Sequence, residues 1–81
     1  MAMVPLQGCW RGDFVVQLVP VDDSNTMPEV AAAVAVHAVN LRVPAEDRPM
    51  GVWVNGERVP DEKTVAEAGI EPMDYIEAGY V

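Results

Sequence analysis

A single cysteine, a single histidine and five basic residues set narrow limits on what this chain can do. Cys9 has no second thiol to pair with, so an internal disulfide is excluded and a reducing compartment suits it. A two-iron, two-sulfur ferredoxin cluster takes four thiolates, so electron transfer through one is excluded as well. The bases Arg11, Arg42, Arg48, Arg58 and Lys63 are scattered among thirteen acids, for a net charge of −8. Nucleic acids and anionic membranes are bound through clustered Lys and Arg, and neither is an expected partner. No apolar run approaches the roughly 18–20 residues of a membrane span. The first residues, Met1-Ala-Met-Val-Pro-Leu-Gln7, show no basic stretch ahead of an apolar one, so no secretory signal is expected. These absences point to a cytoplasmic protein. Aromatics make up only 6% against a hydrophobic fraction of 51%, so the apolar content is mainly Val and Ala.

Much of that apolar content is concentrated in residues 29–41, Glu29-Val-Ala-Ala-Ala-Val-Ala-Val-His37-Ala-Val-Asn40-Leu41. The run reads as a helix that is apolar nearly all round. At about 100° per residue, Val30, Val34 and Leu41 share one sector with His37 at its edge. Ala32, Val36 and Val39 then fall on the opposite side, where a solvated helix would carry Lys, Glu or Gln. A helix without a polar face belongs inside a larger body. Eighty-one residues make one domain, 1–81, that needs only one such face for its core. The expected role is therefore that of a subunit. Ala32, Ala35, Val36, Val39 and Asn40 form the helical part of its interface.

Local signals order the remaining elements. Residues 3–10 and 14–21 read as strands around the turn-prone Arg11-Gly12-Asp13, with Pro20 confined to an edge or a strand end. Thr26 and Glu29 have capping-box spacing, and Pro28 falls in the first turn of the helix. Pro44 disfavours the helical conformation at Val43 and stops the helix near Leu41. Asn55-Gly56 is the strongest two-residue hairpin signal, placed within Val52–Val59. Thr64 to Gly69 reads as a helical turn with a second capping pair, Thr64 and Glu67. Residues 74–81 form a last strand. The outcome is an α+β domain with a mixed four- to five-stranded sheet and one long helix packed across it. Ubiquitin-like β-grasp proteins have this order of elements.

Three segments carry a closer resemblance. Asp13-Phe-Val-Val-Gln17-Leu-Val-Pro-Val-Asp22, with Met27 opening the helix, is followed by Val34-Ala-Val-His37-Ala-Val39-Asn40-Leu-Arg42-Val43 and then by Thr64-Val-Ala-Glu-Ala-Gly69-Ile-Glu-Pro72. Together they resemble the small gamma subunit of bacterial toluene and alkene monooxygenases, over about residues 13–81. The resemblance implies a soluble multicomponent enzyme that inserts one oxygen atom from O2 into an aromatic or alkene hydrocarbon. It further implies a hydroxylase built as a dimer of αβγ trimers, with a di-iron centre in the large alpha subunit and no cofactor in gamma. An effector protein, a Rieske ferredoxin and a reductase complete such a system. On this reading the chain is a non-catalytic structural subunit.

The chemistry-bearing residues agree with that role. His37 has no Glu-x-x-His partner on its helix, and a metal site needs several converging ligands, so packing or an interface hydrogen bond is its expected use. Asp22-Asp23, Glu46-Asp47 and Asp61-Glu62 lie in expected loops or caps. The segment after Lys63 holds Glu67, Glu71, Asp74 and Glu77 with no base, which serves solubility or steers the chain toward a basic surface. Trp10 and Trp53 sit on short strands, where Trp is either core filler or interface anchor; Trp10 joins the expected interface set. No catalytic, cofactor or metal residue is expected. Two other functions are weighed on the fold alone. A ubiquitin-like sulfur carrier needs a flexible Gly-Gly tail, whereas Ala78-Gly79-Tyr80-Val81 falls in an expected strand. A free-standing adaptor that binds through a strand edge would not need a helix apolar on both sides.

Overall fold

The computed structural model describes residues 2–39 and 44–81, so the expectations for Asn40 and Leu41 fall outside the described residues. Five strands form one mixed sheet: β1 (Met3–Trp10), β2 (Val16–Asp22), β3 (Met50–Val54), β4 (Glu57–Val59) and β5 (Tyr75–Tyr80). Their spatial order is β2-β1-β5-β3-β4, with β1 and β5 parallel and every other neighbour antiparallel. The helix α1 (Met27–Ala35) lies across one side of this sheet. This is the expected α+β arrangement.

Local chemistry explains the joints. Asn55 and Gly56 take φ of 53° and 82°, the pair of positive values that a primed hairpin turn requires. At the start of α1 the Glu29 carboxylate accepts the Thr26 backbone N–H at 2.8 Å and its hydroxyl at 3.0 Å. The second capping pair is reciprocal: Thr64 N–H donates to Glu67 at 3.0 Å, and Glu67 N–H donates to the Thr64 hydroxyl at 3.2 Å. That turn closes at Gly69 with φ of 73° and is tied to the start of α1 by Val65 N–H on the Asn25 carbonyl, 2.9 Å.

The core lies between sheet and helix. Leu6, Val19, Val52 and Ile76 from the sheet meet Met27, Val30, Ala31 and Val34 from α1, and Val65 and Ile70 close one end. Gly8 marks the closest approach of the two layers. A Cβ there would stand 2.9 Å from Val34 Cγ2 and 3.3 Å from Val19 Cγ2, so only glycine lets the helix sit this low.

Two expectations need correction. The helix was expected to run to about Leu41, whereas α1 ends at Ala35. Beyond it the N–H groups of His37 and Ala38 reach back only three residues, to the carbonyls of Val34 and Ala35 at 3.0 Å each. That tightening, usual at a helix end, changes the angular phase. It turns Ala38 into the core and leaves Val39 packed against it, so Val39 does not stand on the outer side. Ala35 is likewise half-buried against the core. Trp10, expected at the interface, is 2% exposed and is the largest fully buried side chain. Its position faces inward with Leu6, and its ring meets Tyr80 edge-on at 5.1 Å between centroids. The Tyr80 hydroxyl in turn accepts the Glu46 N–H at 2.9 Å and anchors the segment before β3.

Candidate protein-docking surface

Two apolar areas face outward, on opposite sides of the domain. On the helix side, Ala32 and Val36 are exposed, Val36 at 72%. They are what remains of the expected helical interface once Ala35 and Val39 are drawn inward. His37 follows Val36 in the same turn and is half-buried.

The second area is the side of the sheet turned away from α1. In a strand alternate residues face opposite ways. With Val19 and Val21 inside, β2 presents Val16, Leu18 and Pro20 outward, and Leu18 is 60% exposed. Across the register, Val16 stands beside Cys9, Leu18 beside Gln7, and Gln7 beside Tyr75. Partial burial, with the Cys9 thiol and the Glu77 carboxylate beside it, raises the Tyr75 phenol above its usual range.

Farther along the same side, Gly51 of β3 and Gly79 of β5 stand directly opposite one another. Neither has positive φ, so conformational freedom is not their purpose. A Cβ on Gly51 would meet Arg58 Nε at 2.6 Å, and one on Gly79 would meet Arg11 Cβ at 3.0 Å. The two glycines therefore make a trough in which two arginine side chains lie flat. Both guanidiniums reach the Trp53 ring, Arg11 with Cζ 4.2 Å from its centroid and Arg58 at 5.5 Å. Arg58 also pairs with Asp61 at 2.8 Å. Such stacking holds a cation over an indole face while its edge still offers donors.

Carboxylates elsewhere serve turns. Asp22 accepts the Ser24 N–H at 2.9 Å and its hydroxyl at 2.7 Å, which hold the Asp22 carboxyl below its usual range. Asp74 accepts the Glu71 N–H at 2.9 Å, so part of the acidic last segment has a structural task. The bonds from Thr26 likewise lower the Glu29 carboxyl below its usual range. A carboxylate lowered on folding stabilises the native state above its unfolded pKa, and this stability is lost as pH falls through the folded value. Glu29→Gln should therefore flatten the acid side of a plot of Tm against pH while keeping an acceptor for the Thr26 N–H. An unchanged acid limb would refute this role. Among the described residues no group of three or more His, Cys, Asp or Glu side chains could hold a metal, and no helix is long and apolar enough to cross a membrane. What the two outward areas offer chemically is recognition.

The sheet surface went unmarked in the sequence except through Trp53. A signal was present: β2 is apolar on both alternations, which a strand with one solvated face does not require.

Residues 3–80 match the family described as toluene-4-monooxygenase system protein B. The gamma subunit of the toluene-4-monooxygenase hydroxylase component of Ectopseudomonas mendocina is 38% identical over 79 residues, 95% of this chain and 94% of that protein. The gamma subunit of the alkene monooxygenase oxygenase component of Xanthobacter autotrophicus (strain ATCC BAA-1158 / Py2) is 39% identical over 67 residues, 80% of this chain and 76% of that one. Among solved structures, a chain of the toluene 4-monooxygenase HD complex with the inhibitor 4-bromobenzoate superposes with a TM-score of 0.93 at 35% identity, covering 99% of this chain and 100% of that chain. A ubiquitin from Caldiarchaeum subterraneum superposes at 0.71 with 13% identity, over 99% of this chain and 95% of that one, which shows the shared β-grasp fold. The chain belongs to the toluene-4-monooxygenase system protein B family.

Proposed function

We propose that this chain is the gamma subunit of a soluble hydroxylase that inserts one oxygen atom from O2 into an aromatic or alkene hydrocarbon. The observation that carries the proposal is the end-to-end likeness to two gamma subunits, at 38% and 39% identity. Residues 1–81 act in it as one cytoplasmic domain without a catalytic residue. The di-iron centre belongs to the large alpha subunit, as the resemblance to gamma subunits implies. The assembly is a dimer of αβγ trimers served by an effector protein, a Rieske ferredoxin and a reductase. Ala32 and Val36 remain available on the helix side for contact with a neighbouring subunit.

The role of the chain is to make the hydroxylase assemble. Co-expressed with the alpha and beta subunits of the same hydroxylase, the chain should co-purify with a tagged alpha subunit in equimolar amount. Iron should follow the alpha subunit, with none bound stoichiometrically to this chain alone by elemental analysis. One iron per isolated chain, retained after chelation, would overturn the assignment of the metal. Failure to co-purify would overturn the subunit role.

A further inference from the structure

The geometry points to Asn55-Gly56, at the tip of the β3–β4 hairpin, as a site of spontaneous covalent modification. The asparagine converts to isoaspartate through a cyclic imide, and the conversion releases β4 from the sheet. The reagents are the chain itself and water. The Gly56 nitrogen gives up its proton to hydroxide and attacks Asn55 Cγ. A bond forms between that nitrogen and Cγ, the Cγ–Nδ2 bond breaks, and the side-chain nitrogen leaves as ammonia. Water then opens the ring. Attack at Cγ leaves aspartate, whereas attack at the main-chain carbonyl leaves isoaspartate, whose main chain runs through Cβ and Cγ. One water enters, one ammonia leaves, and nothing is oxidised or reduced.

Both reacting groups are free. Asn55 and Gly56 are exposed. Among the described residues nothing hydrogen-bonds the Asn55 carboxamide or the Gly56 N–H. Glycine has no Cβ to shield its nitrogen, and no heavy atom lies within 4 Å of where one would stand. Asn25 supplies an internal comparison. Its Oδ1 accepts the Asp22 N–H at 2.8 Å, and its carbonyl accepts the Val65 N–H at 2.9 Å. The nitrogen that would attack there belongs to the β-branched Thr26, whose N–H donates to Glu29 at 2.8 Å. Asn25 is held at both reacting groups; Asn55 is held at neither.

The turn also gives the modification a consequence. Asn55 and Gly56 hold the paired φ values of 53° and 82° that set Val54 opposite Glu57. An added main-chain carbon breaks the two-residue geometry on which this register depends. β4 is three residues long, lies at the sheet edge and has β3 as its one neighbour. So short a pairing has little stability of its own, and its local opening lets the turn reach the ring-closing conformation. When β4 leaves, the Arg58 guanidinium leaves Trp53 and Val59 leaves the core.

The test uses the full folded chain. Wild-type protein is held at neutral and at mildly alkaline pH, then digested and mapped by mass spectrometry, with isoaspartyl and aspartyl peptides separated by chromatography. Asn55 should convert several-fold faster than Asn25, with isoaspartate in excess over aspartate and a rate that rises in proportion to hydroxide. Asn55 that stays intact as long as Asn25 would overturn the site, and aspartate as sole product would overturn the imide route. Amide exchange reads the consequence. Protection across Glu57–Val59 should fall several-fold in the isoaspartyl chain and persist in Asn55→Asp, which adds the charge without lengthening the main chain. Unchanged protection in the isoaspartyl chain would overturn the release of β4. Equal loss in Asn55→Asp would assign that release to charge, against the backbone cause.

Discussion

Val34→Glu should leave the chain without a cooperative thermal transition, whereas Val36→Glu should melt close to wild type. The two positions lie two residues apart in an apolar run, and nothing in composition separates them. Val34 is 2% exposed and pressed against Gly8, while Val36 stands in solvent just beyond the end of α1. An unpaired carboxylate at Val34 would lose its hydration among Leu6, Val19 and Val30, at a cost of several kcal/mol. Domains are stable by roughly 0.05–0.15 kcal/mol per residue, so a chain of this length holds about 4–12 kcal/mol in all. The single charge is comparable with the whole margin. At Val36 the new carboxylate stays hydrated. Circular dichroism melts of both variants check the pair. Equal destabilisation would mean that the helix faces are wrongly assigned.

The second large effect falls on Trp10. Trp10→Ala should lower stability by roughly 3–5 kcal/mol, the usual cost of emptying an aromatic site in a core. At about 4–8 °C per kcal/mol for a domain of this size, that is a fall of roughly 12–40 °C in Tm. The loss should spread to residues 44–49, because Tyr80 loses its edge-on partner and its hydroxyl holds the Glu46 N–H. Faster amide exchange at Glu46 than at Val65 would report that spread. Trp10→Phe, which keeps an aromatic ring against Tyr80, should retain a cooperative melt. Were Trp10 an anchor for a partner, Trp10→Ala would leave the Tm of the chain intact and weaken assembly alone. That outcome would overturn its place in the core.

Element order was legible in the sequence because its signals are short-range. Thr26 with Glu29, Pro28 in the first turn, Asn55-Gly56, and Thr64 with Glu67 ahead of Gly69 each act within one turn of chain, and α1 and the β3–β4 hairpin begin near where those signals put them. The resemblance to gamma subunits was legible for a related reason, since it rests on continuous segments. The extent of the helix was less so. Val36, Ala38 and Val39 continue an apolar run at any pitch, and only hydrogen bonds reaching back three residues shift the phase that decides which of them is covered.

Tertiary structure alone decided which side of the sheet is inside and what gathers on the other. Alternation tells that Cys9 and Trp10 face opposite ways; it does not say which of them is buried. In β2 both alternations are apolar, so hydrophobicity cannot choose either, and the choice is made where α1 settles over Gly8. The Arg11, Trp53 and Arg58 cluster is further from view, because it joins the first hairpin turn, β3 and β4 across a glycine pair contributed by β3 and β5. Short-range chemistry determines the elements of this chain, but a surface assembled from four of them exists only once non-local pairing has set their order.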